Sequence, residues 1–271
     1  MIRYNVGING IEVSAVYSEQ EVNGIFLPLL KKLTDMHRQK GRRLLVMLAA
    51  PPGAGKSTLL SFLQKLSEED EASERIQTIG MDGFHRRQEY LLTHSVMRDG
   101  KEISMVKIKG APITFDLEKL KESVRRVADG EIIGWPVYDR MLHNPVEDAI
   151  TIDGGIVLLE GNYLLLDEEG WSDLPHYADY TISIQADEEL LRERLIDRRI
   201  KTGVEKEEAI RFVDFSDMPN VRLCLEKTVL ADLELRIDGD GKSNSCAFQV
   251  IGGKKMRKTG TDDHTEGLKN K

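Results

Sequence analysis

A glycine-rich turn between two apolar segments constrains the fold of this chain more than any other feature of its sequence. Residues 44–50 form a continuous apolar run that is too short for a buried helix and is typical of a parallel strand covered on both faces. Residues 58–66 have helical spacing, and the segment joining the two has the sequence APPGAGKST. Gly53 and Gly55 would let this backbone curl, so that successive N–H groups and the helix N-terminus face a bound anion.

The same segment fits the phosphate-binding pattern G-x-x-x-x-G-K-[ST], with Ala50 in place of the first glycine. We expect Lys56 to bridge the β- and γ-phosphates of a nucleoside triphosphate and the Ser57 hydroxyl to ligate Mg²⁺. The alternative is a plain glycine-rich turn, and the flanking strand and helix patterns argue against it. The predicted nucleotide-binding residues are Gly53, Ala54, Gly55, Lys56, Ser57 and Thr58.

Strand and helix patterns alternate along much of the remaining chain. Short apolar runs and helical spacing predict strands at 75–81, 155–159, 181–185 and 233–237 and helices at 58–69, 116–128, 187–201 and 204–213. This alternation is typical of an α/β fold with a doubly wound, mostly parallel sheet flanked by helices.

Differences in composition divide the chain into three regions. Residues 1–40 are predicted to form an N-terminal extension, a hairpin around Asn9-Gly10 followed by a helix. Residues 41–237 contain the phosphate loop and the alternating elements of the main domain. Residues 238–271 are turn-rich and then charged, with few aliphatic anchors, so we expect a disordered tail.

Two carboxylates directly follow predicted strands, where ligands of open parallel sheets bind. Asp82 follows the strand at 75–81 and could accept a proton from an attacking hydroxyl or hold a metal-bound water. Glu160 follows the strand at 155–159 and is the better candidate for holding Mg²⁺. The alternative for both is a turn at the end of a strand, because each precedes a glycine.

The segment from Trp135 to His143 is too polar for a strand and too aromatic for a linker. Its polar side chains could line a pocket for a hydroxyl-bearing substrate, although an Asp–Arg surface pair on a loop would look similar. The predicted substrate-binding residues are Tyr138, Arg140 and His143 from this segment, His85 near Asp82, and Asn162 near Glu160.

A basic stripe marks the predicted helix at 187–201. Arg194, Arg198 and Lys201 are spaced to lie on one face, with Arg192 and Arg199 beside them. Such a stripe could close over bound phosphates and neutralise charge in the transition state. The alternative is a salt-bridged solvated face, because Glu188, Glu189 and Glu193 lie in the same helix.

The composition excludes several functional classes. Of 271 residues, 38 are Lys or Arg and 46 are Asp or Glu, a formal net charge of −8 that disfavours non-specific nucleic-acid binding. The longest apolar run is far shorter than the roughly 20 residues of a membrane helix, and the N-terminus lacks a secretory signal. We therefore expect a cytoplasmic protein with a small-molecule partner, without a membrane or nucleic-acid partner. Its oligomeric state, a homodimer included, stays open.

Six segments together resemble the phosphoribulokinase/uridine kinase family over about residues 41–237: APPGAGKST, MDGFH (81–85), KGAPITFD (109–116), PVYDR (136–140), LLEGNYLL (158–165) and RERLIDRR (192–199). They are most similar to its branch of nucleoside/nucleotide kinase-like proteins, some of which are known as fructose-transport-system kinases, and this branch is also similar to bacterial pantothenate kinases. The resemblance implies a P-loop kinase fold with a mostly parallel five-stranded sheet. It also implies transfer of phosphate from ATP, with Mg²⁺, to a hydroxyl of a small molecule.

By that resemblance Asp82 takes the place of the family's catalytic aspartate, and Lys56 and Ser57 those of its phosphate-loop residues. Arg194 and Arg198 take the place of its lid arginines. The acceptor stays open between nucleoside-like, pantothenate-like and sugar compounds. A nucleotide-dependent switch acting on a protein partner is the alternative, although the chain has neither an Asn-Lys-x-Asp nor a Leu-Ser-Gly-Gly-Gln motif.

Overall fold

Residues 1–8, 11–239 and 247–254 are described by a computed structural model of the chain. The strands, in chain order, are β1 (Ile2–Ile8), β2 (Ile11–Tyr17), β3 (Leu44–Ala49), β4 (Ile76–Gly80), β5 (Ser95–Arg98), β6 (Lys101–Ser104), β7 (Ile133–Asp139), β8 (Asn144–Ile152), β9 (Ile156–Gly161), β10 (Tyr180–Ala186), β11 (Leu233–Asp238) and β12 (Ala247–Gly252).

The helices are also numbered in chain order. They are α1 (Glu19–Glu21, continued by a π-helical turn at Val22–Phe26 and by Leu27–Lys40), α2 (Lys56–Glu69), α3 (Gln88–Thr93), α4 (Leu117–Ala128), α5 (Glu188–Lys201), α6 (Lys206–Phe212, continued by a π-helical turn at Val213–Asp217) and α7 (Met218–Lys227). Short 3₁₀ turns span Met81–Phe84, Met105–Ile108, Pro112–Thr114 and Trp171–Tyr177.

The central sheet has the strand order β12-β11-β10-β3-β9-β4, and the five strands from β11 to β4 are parallel. The α/β fold with a mostly parallel sheet is as predicted. In β3, Leu44, Val46 and Leu48 pack into the core on one face of the sheet, and Leu45 and Met47 pack into the core on the other. This two-sided burial explains the continuous apolar run at 44–50.

The sheet has six strands, so the expectation of five is wrong. The sixth is β12, which pairs antiparallel with β11, with Phe248 opposite Ile237. It lies in the region predicted to be a disordered tail, and that prediction is therefore wrong for residues 247–252. The apolar side chain of Phe248 is buried against Tyr17 and Phe26 of the N-terminal segment. The rest of the predicted tail, residues 240–246 and 255–271, lies outside the described residues.

The polar segment around Trp135 is also a strand, contrary to expectation. β7 forms an antiparallel hairpin with β8, with Val137 opposite Val146 and Tyr138 opposite Pro145. Trp135 is completely buried, and its indole Nε1 donates to the Gly80 carbonyl oxygen at 2.9 Å. Polar residues are tolerated because one face of the hairpin packs on the core while the other is exposed.

The strands of the predicted N-terminal hairpin and the helix after it are present as β1, β2 and α1, whereas the turn predicted at Asn9-Gly10 lies outside the described residues. They contribute Tyr17, Phe26 and Leu30 to the same core as β3 and α2. The Tyr17 ring stacks on Phe62 of α2 with a centroid distance of 4.2 Å. The segment is thus joined to the main domain by a shared core. No helix within residues 1–8, 11–239 and 247–254 is long and apolar enough to cross a membrane.

Candidate active site

A cavity of about 460 Å³ lies at the carboxyl end of the parallel sheet, above the phosphate loop. Its lining combines three groups of residues. The first is the phosphate loop, the second consists of charged side chains from strand ends, turns and α5, and the third is a wall formed by the β1–β2 hairpin with β11 and β12. These residues are Gly53–Thr58; Asp82, Arg140, Glu160, Arg194, Asp197, Arg198 and Lys201; and Ile8, Glu12–Tyr17, Ile237 and Phe248. Parallel strands bind ligands at this end.

The phosphate loop has the backbone that its glycines predict. Gly53 and Gly55 have φ angles of +85° and +79°, in the left-handed region that favours glycine. Gly55 precedes the first residue of α2 and offers no side-chain cap to the helix N–H groups. These donors and the helix dipole therefore favour an anion at this end of α2. All six predicted nucleotide-binding residues line the cavity.

Ser57 and Glu160 meet at the base of the cavity, where the Ser57 hydroxyl donates to Glu160 Oε1 at 2.6 Å. Burial raises the pKa of the Glu160 carboxyl, and the positive charge of Lys56 opposes that shift. Hydroxyl and carboxylate oxygens are ligands that Mg²⁺ accepts. No cluster of three His, Cys, Asp or Glu side chains suited to a metal occurs in the described part of the chain. A Mg²⁺ ion would therefore take its other ligands from phosphate and water.

Asp82 lies in the 3₁₀ turn that follows β4, and its side chain is about half exposed to the cavity. The next residue, Gly83, is buried against β7. A Cβ atom on Gly83 would lie 1.9 Å from the Pro136 carbonyl oxygen, so this close approach requires glycine. Packing of the turn against β7 thus sets the position of the Asp82 carboxylate.

His85 lies behind Asp82, between two aromatic rings. It stacks on Phe115 with a centroid distance of 3.9 Å and meets Tyr138 edge-on at 5.3 Å. Its Nε2 atom is 4.0 Å from Asp82 Oδ1. Burial lowers the pKa of His85 to about 4, although the charge of Asp82 opposes the shift. The imidazole is therefore neutral near pH 7 and lies next to Asp82 without a hydrogen bond to it.

The remaining predicted substrate-binding residues have different surroundings. Arg140 is exposed and lines the cavity. The Tyr138 hydroxyl accepts a hydrogen bond from Lys109 Nζ at 2.5 Å, and the carbonyl of His143 accepts from the same ammonium at 3.2 Å. The His143 side chain is exposed. Asn162 Oδ1 is buried and has no hydrogen-bond partner among the described residues. Arg140 thus lines the cavity, whereas the other four predicted residues, all in the described ranges, lie outside its lining.

The basic face of α5 is divided between two roles. Arg194, Arg198 and Lys201 line the cavity, as their helical spacing predicts, and Arg194 Nη1 donates to the Gly53 carbonyl oxygen at 3.4 Å. Arg192 instead pairs with Asp214 at 2.7 Å, and Arg199 with Asp217 at 3.4 Å. One side of α5 therefore faces the cavity while another side is salt-bridged, and closure of the cavity-facing side as a lid stays a prediction.

Two parts of this site were not predicted from the sequence. Lys109 contacts Gln88, Tyr138 and His143 through its ammonium, and burial lowers its pKa. Its position at the start of the KGAPITFD segment was a signal that could have identified it. The second part is the wall formed by β2, for which no local motif exists.

Comparison with known proteins identifies the family of this chain. A model of the phosphoribulokinase / uridine kinase family matches residues 45–233. The Escherichia coli K12 protein YggC, which is uncharacterised, is 38% identical over 242 residues, spanning 89% of this chain and 98% of that protein. A provisionally named uridine kinase of Schizosaccharomyces pombe is 33% identical over 233 residues, spanning 83% of this chain and 93% of that protein.

A solved structure is similar as well. A provisionally named fructose transport system kinase from Silicibacter sp. TM1040 superposes with a TM-score of 0.67 at 28% identity, covering 77% of this chain and 98% of that one. The family match extends over the phosphate loop, Asp82, Glu160 and the basic face of α5. The chain therefore belongs to the phosphoribulokinase / uridine kinase family.

Proposed function

We propose that this protein is an ATP-dependent kinase that transfers the γ-phosphate to a hydroxyl of a small metabolite. The observation that carries the proposal is the joint placement of Asp82, Lys56 and Ser57 around one cavity. A phosphate loop alone serves to hold a nucleotide. A half-exposed carboxylate beside it supplies the group that a phosphoryl acceptor needs.

In the proposed reaction Lys56 and the N–H groups at the start of α2 hold the β- and γ-phosphates. The acceptor hydroxyl oxygen forms a bond to the γ-phosphorus, while the bond between that phosphorus and the bridging oxygen of ADP breaks. Asp82 orients the hydroxyl and accepts its proton. Mg²⁺, when bound near Ser57 and Glu160, would neutralise phosphate charge.

Arg194 and Arg198 extend from α5 into the same cavity. Their fixed positive charges would stabilise the charge that develops on the transferred phosphoryl group. Closure of this helix face would also exclude water, which competes with the acceptor for phosphate. We expect the ATPase rate without acceptor to be slow for this reason.

The acceptor would bind on the side of the cavity where Asp82 and Arg140 lie. Next to Asp82, His85 packs against Tyr138, whose hydroxyl accepts a hydrogen bond from Lys109. A carboxylate and a guanidinium facing the cavity suit a hydroxyl-bearing metabolite, with nucleoside-like, pantothenate-like and sugar compounds as the candidates.

The test is ATP consumption with Mg²⁺ across a panel of nucleosides, pantothenate, ribosides and sugars. We expect one compound to stimulate turnover, and Asp82→Asn to lower that turnover by about 10² to 10⁴-fold because the proton acceptor is lost. ATP affinity should change little, since the phosphate loop is intact.

Asp99→Asn is the matched control. It makes the same chemical change at a side chain that is 93% exposed in the turn between β5 and β6. Its turnover should equal that of the unmodified protein. Turnover that survives in Asp82→Asn would overturn the role of Asp82. Absence of ATP binding by the unmodified protein would overturn the kinase proposal itself.

A further inference from the structure

One wall of the cavity comes from segments outside residues 45–233, the range that the family model matches. Residues 12–17 of β2 form most of this wall, and Phe248 of β12 completes it together with Ile237 at the end of β11. β2 and β12 therefore lie entirely outside the matched range, and β11 begins at its last residue.

The sheet order gives the cavity two ends. β9 and β4 lie on one side of β3, and they bring Glu160 and Asp82 to the cavity. β10, β11 and β12 lie on the other side, and they bring Ile237 and Phe248. The phosphate loop follows β3, between the two ends. When the γ-phosphate lies beside Asp82, the base and ribose of the same nucleotide therefore lie at the other end of the cavity, near β11, β12 and the β1–β2 hairpin.

The cavity contacts the edge of β2. Side chains alternate between the two faces of a strand, so a face alone would contribute every second residue. Residues 12–17 instead line the cavity as a consecutive run. In the described part of the chain β2 pairs with β1 along one edge and with no strand along the other. Alternate residues of that open edge direct backbone N–H and C=O groups outward.

The wall is held firmly against the helix that follows the phosphate loop. Tyr17 stacks on Phe62 of α2, and the hydroxyls of Tyr4 and Ser61 are hydrogen-bonded at 2.7 Å. The backbone N–H of Phe248 in β12 donates to Glu21 Oε1 of α1 at 2.8 Å, which joins β12 to the N-terminal segment. The hairpin edge is thus positioned relative to the loop before any ligand binds.

We propose that the open edge of β2 binds the base and ribose of the nucleotide whose phosphates lie on the phosphate loop. The inference rests on the proposed function. A nucleobase has apolar faces and a rim of hydrogen-bond donors and acceptors. Val13 and Val16, which line the cavity and are only half-buried, supply apolar surface, and the β2 backbone supplies a row of donors and acceptors beside it. The N-terminal extension is therefore part of the nucleotide site.

Hydrogen exchange of the unmodified protein tests this directly. A nonhydrolysable ATP analogue and inorganic tripolyphosphate are compared, each with Mg²⁺. We expect both to slow amide exchange in residues 53–60, and the nucleotide alone to slow exchange in residues 11–17. Equal protection of residues 11–17 by both ligands, or by neither, would overturn the inference while leaving the kinase proposal intact. Protection at neither segment would instead overturn the kinase proposal.

A pair of variants provides a second measurement. Ser14 lines the cavity, and Asn5 is its exposed partner across the hairpin. Ser14→Ile should weaken binding of the ATP analogue by about fivefold or more and leave tripolyphosphate binding within about twofold, because added bulk meets only the nucleoside. Asn5→Ile should change neither affinity. Unchanged tripolyphosphate binding also shows that each variant is folded. A Ser14→Ile protein that binds the ATP analogue and tripolyphosphate as tightly as the unmodified protein does would contradict the proposal.

Discussion

Asp82 can reach the cavity because the residue after it has no side chain. Gly83→Ala would place a methyl group 1.9 Å from the Pro136 carbonyl oxygen, so the 3₁₀ turn must shift. We expect turnover to fall by about 10²-fold, since a displacement of about 1 Å is enough to misalign the acceptor. Steady-state kinetics with ATP and the stimulating acceptor would measure this.

Gly24→Ala is the control for that substitution. Gly24 lies in the π-helical turn of α1, and no atom lies within 4 Å of its added Cβ. The variant should keep full turnover and be as stable as the unmodified protein or slightly more so. A Gly83→Ala protein with unchanged kinetics would show that the turn does not position Asp82.

The burial of His85 predicts a pH dependence of stability. The folded pKa is about 4, whereas an exposed histidine has a pKa near about 6.5. Between these values the unfolded chain binds a proton that the folded protein excludes, so stability falls as the pH drops through this range. The loss is up to about 3 kcal/mol at pH 4 and is absent at pH 7.

His85→Phe should remove that part of the pH dependence, because Phe cannot bind a proton. Urea unfolding at pH 7 and at pH 4.5 measures the difference. His176→Phe, at an exposed histidine, should keep the pH dependence of the unmodified protein. If His85→Phe were to lose as much stability between the two pH values as the unmodified protein, the assignment of this effect to His85 would be wrong.

At the scale of the element, α5 presents some of its arginines to the cavity and pairs others with acidic side chains. Arg198 lines the cavity, whereas Arg192 pairs with Asp214. Arg198→Ala should lower turnover by about 10²-fold or more, because charge on the transferred group loses a stabilising cation. Steady-state kinetics should show this loss in kcat.

Arg192→Ala removes the same side chain from the neighbouring side of the helix. Its ion pair is partly exposed and contributes at most about 1 kcal/mol to stability. Turnover should stay within about threefold of the unmodified protein. Equal losses of turnover in the two variants would mean that α5 acts through its overall charge rather than through the arginines that line the cavity.

For the whole molecule, the N-terminal segment and β12 share the core of the main domain. Tyr17 packs against Phe26, Phe62 and Phe248, and it is 3% exposed. Tyr17→Ala should lower the free energy of unfolding by about 3 to 5 kcal/mol, in a single transition observed by both fluorescence and circular dichroism.

Tyr4→Phe is the matched control, since it removes only the hydroxyl that is hydrogen-bonded to Ser61. Its cost should be about 0.5 to 1.5 kcal/mol. Two separate transitions, with the hairpin unfolding first, would show that the extension is an independent appendage of the domain.

Some features of this protein followed from short segments of sequence. The phosphate loop is defined by two glycines and the helix after them, and the parallel strands by apolar runs such as 44–50. The cavity-facing side of α5 was predictable because helical spacing alone places Arg194, Arg198 and Lys201 together. Local periodicity and turn chemistry are sufficient for such features, since they depend on neighbours within a few residues.

Other features were decided by the tertiary structure. β12 exists as a strand because β11 offers it an edge and Phe248 finds a buried site beside Tyr17. β7 is a strand despite its polar residues because Trp135 is buried in the core. The wall formed by β2 has no motif, since it depends on a hairpin packing against α2 from a distant part of the chain. Edge pairing and long-range packing join residues far apart in sequence, and local patterns do not encode which of them meet.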